Sequence, residues 1–238
     1  MNLNNMQTGG QQVKINVEDS PTVKCSECEN IIEATSGNMG ISFAWLAAER
    51  GYKCKIVMPS NMSDERKQML RLYGAELIEV DAGDFDGAIE LRNKLAEENG
   101  WFNCNQFENP INIQSHKEGT AKEIINFCEN SSTLDKHVYV EALISGTGTG
   151  GTIMGCKETL SKRYPICKMI AVEPEESPVM SGGEPGLHGI QGIGDGSKFL
   201  VDLTKIEEVV TIKTEDAKDR ARKLARETGI FVGISAGA

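Results

Sequence analysis

An α/β fold built on mostly parallel sheets is what this sequence predicts. From Ile31 onward, apolar β-type runs alternate with amphipathic helical patterns. The runs are read as buried, near-continuous strands, of the kind a parallel sheet covered on both faces requires. The 25 glycines collect at the ends of these runs, where a strand turns tightly into a helix.

Residues 1–30 stand apart: "MNLNNMQTGGQQVKINVEDSPTVKCSECEN" has no helical periodicity and at most one short strand, "VKINV". In "EATSGNMGISFAW", Glu33 to Trp45, an apolar strand-like run gives way to the apolar face of a helix, with Thr-Ser-Gly-Asn at the junction. Further strands are expected at 52–58, 75–80, 101–107, 138–145, 168–173 and 206–212. One helix is announced by Ser63 as N-cap, with Asp64 and Glu65 suiting its first-turn dipole. Met69, Leu70 and Tyr73 form its expected buried stripe and Gly74 its left-handed stop. A second helix runs from Thr214 to about Thr228, with Gly229 as its stop. The segment 175–205, rich in Gly and Pro, breaks the rhythm and reads as a long functional loop.

Composition narrows the function. A formal net charge of −10 argues against a non-specific grip on nucleic acid or on an anionic membrane. No apolar run is long enough to span a bilayer, and the polar N-terminus lacks the parts of a signal peptide. An odd count of 7 cysteines, mostly scattered, suits free thiols in a reducing compartment, so a cytoplasmic protein is expected.

Two stretches carry binding chemistry. "SGTGTGGT", Ser145 to Thr152, follows one apolar strand and opens a helix ending near Arg163. Its glycines let backbone N–H groups converge, the helix N-terminus adds positive potential, and Thr149 and Thr152 add hydroxyl donors, so a phosphate fits. Gly146, Gly148 and Gly151 also satisfy G-x-G-x-x-G, with Glu173 at the end of the next strand, which is the dinucleotide fingerprint of a nicotinamide-dependent oxidoreductase. Hydroxyl donors favour a phosphate monoester over a pyrophosphate pressed against bare glycine. "TSGN", Thr35 to Asn38, offers N–H groups and hydroxyls suited to a carboxylate, or alternatively a plain helix cap. "CSEC", Cys25 to Cys28, is half of a zinc knuckle without a second pair, so no metal site is expected.

Together, "TSGNMGISFAWLAAERGYKCKIVMP", "MSDERKQMLRLYGAELI", "NQFENP", "GTGGT", "AVEPEESPV", "HGIQGIG" and "GISAGA" resemble the cysteine synthase (O-acetylserine sulfhydrylase) and cystathionine β-synthase family. These are pyridoxal-phosphate enzymes of the tryptophan-synthase-β fold, and the motifs stand in the family's order from Ile31 to Ala238. The resemblance implies a small domain at 31–110 and a large cofactor-binding domain at 111–238, the latter incomplete, with residues 1–30 unrelated. It implies that Gly148, Thr149, Gly150, Gly151 and Thr152 hold the 5′-phosphate of pyridoxal phosphate, that Asn38 bonds the phenolic oxygen, and that Ser235 faces the pyridine nitrogen. Thr35, Ser36 and Gln106 would bind the amino-acid carboxylate, and Gly192 would line the mouth near the amino group. The implied reaction joins an O-acetylserine-like amino acid and sulfide into cysteine and acetate, with a homodimer as the implied assembly. Cystathionine β-synthase, cysteine desulfhydrase and a non-catalytic relative that binds cofactor or a partner are the alternatives.

The sequence departs from the family at three places. The family's Schiff-base lysine lies in a segment like GSxKDR upstream of TSGN, and only Lys14 and Lys24 precede Thr35 here. Lys14, in "GGQQVKIN", stands nearest to the pattern but lacks the Asp-Arg that follows. Met39 occupies a position where the family usually has Thr, and the chain stops at Ala238, where the family continues. Without the lysine, the phosphate and ring contacts survive while turnover is expected to collapse.

Overall fold

The computed structural model describes residues 29–35, 37–130, 139–194, 197 and 199–238. The first sheet contains β1 (Asn30–Ala34), β2 (Lys53–Pro59), β3 (Glu76–Val80) and β4 (Phe102–Asn103), all parallel and in the order β3-β2-β1-β4. Parallel neighbours need crossovers, supplied by α1 (Asn38–Arg50), α2 (Asp64–Leu72) and α3 (Phe85–Asn99). Strand β2 (KCKIVMP) shows why the stretch Ile56–Met58 is apolar without a break: it is buried on both faces. Cys54, Ile56 and Met58 pack on Ala44 and Ala47 of α1 and Leu70 of α2. Val57, on the opposite face, packs with Ile32 and Ala34 against Ala88 and Ala96 of α3.

After α4 (Pro110–Glu118) and α5 (Thr120–Asn130) comes a second parallel sheet, β5 (Ala142–Gly146), β6 (Lys168–Pro174) and β7 (Glu208–Ile212), in the order β5-β6-β7. Helix α6 (Gly151–Arg163) links β5 to β6, and α7 (Thr214–Thr228) and α8 (Ile234–Gly237) follow β7. Ile153, Met154 and Leu160 of α6 pack on Met169 and Ala171 of β6. Helices α4 and α6 approach so closely that a Cβ at Gly155 would lie 2.3 Å from the Ile113 carbonyl oxygen. The opposite face of the sheet leaves Ile144 67% exposed. Among the described residues, no helix is long and apolar enough to cross a membrane.

Several expected elements are shorter than their apolar runs. The strand expected at 101–107 pairs only over Phe102–Asn103, because Asn105 turns the chain at φ 47°. The strand expected from 138 begins at Ala142, opposite Lys168, the first residue of β6, with the Lys168 N–H donating to the Glu141 carbonyl (2.9 Å) just before the ladder starts. Strand β7 starts at Glu208, after a 3-10 turn at Leu203–Lys205 that Ile206 N–H closes onto the Leu203 carbonyl. Ser63 occupies the N-cap position of α2 without a side-chain bond to the helix backbone, and Met69, expected to be buried, is exposed beside the buried Leu70. Gly74 and Gly229 stop α2 and α7 at φ 81° and 73° as expected.

The loop between β6 and β7 is tied down by one buried carboxylate. Glu173 accepts from Met180 N (2.7 Å), Ser181 N (2.9 Å) and Ser181 Oγ (2.6 Å). Ile190 and Ile193 then seat the loop on Ala217 and Ile212.

Candidate active site

A cleft of about 220 Å³ opens where the carboxyl ends of strands from both sheets face each other, the position where parallel α/β sheets collect ligands. Thr35 follows β1, Gln106 follows β4, and Gly146 to Gly150 leave β5 for α6. The structure brings Thr35, Asn38, Gln106, Gly148, Thr149, Gly150, Thr152 and Gly192 to the lining of this one cleft. Gly151 starts α6 directly behind it. Ser235 lies exposed on α8 and is not among the residues lining the cleft. Lys14, Lys24, Ser36, Cys25 and Cys28 fall outside the described residues. Among the described residues that line the cleft, the cation is Arg66 and none is a lysine.

The glycine-rich turn is built for close approach. Gly150 has φ 87°, and a Cβ there would sit 2.4 Å from Val201 Cγ2; a Cβ at Gly151 would sit 1.9 Å from Asn112 Oδ1. These contacts hold the turn from both sides, against the β6–β7 loop and against α4. The first N–H groups of α6 lack intrahelical acceptors and point into the turn, and the helix dipole makes the same place positive. Thr149 and Thr152 bring hydroxyls beside it. This set fits a phosphate monoester.

The dinucleotide reading asks Glu173 to face a ribose. Its carboxylate is buried instead, and the Met180 and Ser181 donors occupy both oxygens.

The carboxylate corner is equally constrained. Thr35 is buried, its N–H donates to the Val57 carbonyl (3.0 Å), and its Oγ1 accepts from Gly37 N (3.2 Å). Gln106 donates from Nε2 to the Ala34 carbonyl at 3.2 Å and from its N–H to Glu33 Oε2 at 2.9 Å. One amide hydrogen of Gln106 and the turn at Gly37–Asn38 then remain to meet an anion.

Sequence reasoning missed four residues around this cleft. Asn112 and His116 share one face of α4 at an i, i+4 spacing, the signal available for them. Asn112 Nδ2 donates to the Gln106 carbonyl (2.9 Å) and to Thr149 Oγ1 (3.0 Å). His116 Nε2 lies 3.2 Å from Thr152 Oγ1 and Nδ1 lies 2.9 Å from Thr120 Oγ1. Burial holds the His116 pKa below its ordinary value of 6.5 and favours the neutral ring. Glu33 and Arg92 form a buried ion pair at 2.7 Å beneath Gln106. Burial pushes the Glu33 carboxyl up, opposed by the Gln106 N–H and the Arg92 charge. Burial, helped by the charge of Glu33, also pushes the neighbouring Cys54 thiol up to about 12, so this cysteine is not a nucleophile.

The model of the pyridoxal-phosphate dependent enzymes matches residues 23–238. A cysteine synthase of Staphylococcus aureus is 40% identical over 214 residues, 88% of this chain and 66% of that protein. The crystal structure of a cysteine synthase (OASS) from Entamoeba histolytica superposes with a TM-score of 0.78 at 41% identity, covering 88% of this chain and 60% of that one. An O-acetylserine dependent cystathionine β-synthase from Helicobacter pylori gives a TM-score of 0.77 at 36% identity, over 88% and 66% of the two chains. The chain thus spans slightly less than two thirds of the length of these relatives.

Proposed function

The chain belongs to the pyridoxal-phosphate dependent enzymes, of the tryptophan-synthase-β fold, and from that premise we propose that its cleft carries out β-replacement on an O-acetylserine-like amino acid, with sulfide as nucleophile and cysteine and acetate as products. The observation that carries this reading is the meeting of a phosphate-shaped turn, Gly148 to Thr152, with the carboxylate corner of Thr35, Asn38 and Gln106 in one cleft. When bound, pyridoxal phosphate supplies an electron sink for a carbanion at the amino acid's α-carbon.

The chain's own residues bind and orient. The N–H groups at the start of α6, with Thr149 and Thr152, would hold the phosphate dianion. Thr149 is itself held by Asn112, so its hydroxyl hydrogen is left for the phosphate. Neutral His116 accepts or donates at Thr152 without adding a second charge. Asn38 would hold the phenolic oxygen. Gln106 and the Thr35 turn, including Ser36, would hold the amino-acid carboxylate, and Gly192 at φ 96° would keep the mouth open beside the amino group. Ser235 is assigned to the ring nitrogen on family resemblance. A cleft of about 220 Å³ favours a compact amino acid.

The two sheets, taken as a small domain (31–110) and a large domain (111–238), are the halves that would close on the amino acid. Free thiols at Cys54, Cys104, Cys128, Cys156 and Cys167 support a cytoplasmic setting, and a homodimer is the assembly we assign by resemblance. Cystathionine β-synthesis, the activity named for the Helicobacter pylori relative, is the neighbouring reaction that the same cleft would serve.

A second reading follows from the absence of a cleft-lining lysine among the described residues: a chain that binds pyridoxal phosphate without turning substrate over. One experiment separates them. Pyridoxal phosphate is added to the purified chain, the visible spectrum is recorded, borohydride is added, and the labelled peptide is mapped. One labelled lysine, with Lys14 as the named candidate, supports the enzyme reading. Saturable binding without a label supports the non-catalytic one, and no binding overturns both.

A further inference from the structure

We propose that Glu33 is the positioning residue that fixes Gln106 in the carboxylate corner, with Arg92 as the clamp that fixes Glu33. The proposal deepens the function argued above, since it rests on Gln106 being a ligand for the amino-acid carboxylate.

The division of labour between the two carboxylate oxygens carries the argument. Glu33 Oε1 accepts from Arg92 Nη1 at 2.7 Å and from Ala34 N at 2.8 Å. Oε2 accepts from Gln106 N at 2.9 Å. A pair that served only to bolt α3 onto β1 would gain most from a bidentate fork, with both oxygens on the arginine. Here one oxygen is given to a backbone N–H at the edge of the cleft. Both side chains are 1% exposed, so this choice is made where an unmade hydrogen bond is costly.

The other arm of the arginine reinforces the same point. Arg92 Nη2 donates to Asn105 Oδ1 at 3.2 Å and to Asn93 Oδ1 at 2.9 Å. Asn105 is a non-glycine residue at φ 47°, a conformation that asparagine tolerates best among such residues. The pair thus grips two consecutive residues, one in the left-handed region and the next a cleft residue. Phe107, the third, lies with its ring centroid 6.0 Å from the Arg92 guanidinium carbon. Gln106 is in turn held at its carbonyl by Asn112. Its backbone is therefore fixed on both sides, which leaves the side chain to aim a single remaining amide hydrogen.

The test uses the full chain and two readouts: amide hydrogen exchange by NMR, and the affinities of pyridoxal phosphate and of O-acetyl-L-serine in the cofactor-loaded protein. Glu33→Gln keeps the shape and keeps an oxygen for Arg92, but sets an NH₂ group against the Gln106 N–H. The expected result is at least a tenfold faster exchange at Gln106, with amides of α6 and β6 within twofold of the parent. The O-acetyl-L-serine Kd should rise at least tenfold while the pyridoxal phosphate Kd stays within twofold. Ile89→Ala, which thins the same core but removes no polar partner of Gln106, serves as a control for lost stability; it should change neither Gln106 exchange selectively nor the ratio of the two affinities. Glu33→Asp, which withdraws the carboxylate by one methylene, gives the same readouts if Glu33→Gln does not fold. Exchange at Gln106 that is unchanged, or that rises only in step with the whole protein as in Ile89→Ala, overturns the proposal. So does a loosened Gln106 with unchanged amino-acid affinity. A parent chain that binds no O-acetyl-L-serine counts against the proposed function, while the exchange arm still decides the role of Glu33.

Discussion

Asn112 and Thr149 join the two halves of the cleft: Asn112 Nδ2 donates to Thr149 Oγ1 at 3.0 Å and to the Gln106 carbonyl at 2.9 Å. A single amide on α4 therefore sets both the phosphate turn and Gln106, three residues beyond β4. Because Thr149 Oγ1 accepts from Asn112, its own hydrogen is free to be donated into the turn.

Asn112→Ala removes both bonds and leaves the Gln106 carbonyl without that donor. The expected cost is about 1–3 kcal/mol of stability, read by urea denaturation, with pyridoxal phosphate binding weakened about tenfold, a loss of about 1.4 kcal/mol. Asn112→Asp sets a carboxylate beside the phosphate turn and should weaken binding further, as a fluorescence titration would show. Equal affinities for the parent and both variants would mean that Thr149 is held by other contacts.

Gly151 and Gly155 are fixed by close approach of α6 to α4. A Cβ at Gly151 meets Asn112 Oδ1 at 1.9 Å, and one at Gly155 meets the Ile113 carbonyl oxygen at 2.3 Å. Gly155→Ala must push two helix backbones apart and is expected to cost about 1–3 kcal/mol in thermal unfolding. Gly151→Ala meets a movable side chain, so its main effect is expected on cofactor affinity rather than on stability. The reverse ordering would count against this account of the α4–α6 contact.

His116 makes stability depend on pH in a stated direction. Its folded pKa is depressed below 6.5 by burial, so the unfolded chain takes up the proton first as pH falls. The contribution is fully present above about 6.5, the ordinary histidine value, and is lost on acidification from there through the folded value. Thermal midpoints of the parent and of His116→Gln, measured from neutral to mildly acidic pH, should converge as pH drops, because only the parent carries this term. Midpoints that run parallel would show that His116 titrates alike in both states.

Arg92→Met tests the cost of an orphaned charge. Glu33 would stay buried without its guanidinium, and breaking such a pair costs about 3–5 kcal/mol. The denaturant midpoint should fall accordingly at neutral pH. Arg92→Met/Glu33→Leu, which removes both charges, should recover much of the loss while leaving Gln106 without its anchor. A double variant no more stable than the single one would mean that the pair matters for packing rather than charge.

Much of this architecture was legible along the chain because its causes are local. The phosphate turn is written in consecutive residues, since glycine freedom and a helix start are properties of one short segment. The stops at Gly74 and Gly229 follow from the same left-handed preference. Strand lengths were less legible: in the run at 101–107 the turn at Asn105 ends the pairing with β1 after Asn103, and in the run at 138–145 the ladder with β6 begins only at Ala142, so backbone pairing, not composition, bounds a strand.

By itself, then, the sequence determined the alternation of parallel strands and helices and the two junctions, Thr35–Asn38 and Ser145–Thr152, at which a carboxylate and a phosphate are expected. Only the tertiary structure decided what stands between them. Glu33 and Gln106 are 73 residues apart in sequence, and Asn112 and Thr149 are 37 apart, so no local spacing reports that they meet. The same packing consumed Glu173 in holding its own loop and left Ser235 exposed on α8. A buried polar group must find a partner, and which one it finds is settled by how strands and helices from distant segments pack, not by its neighbours along the chain.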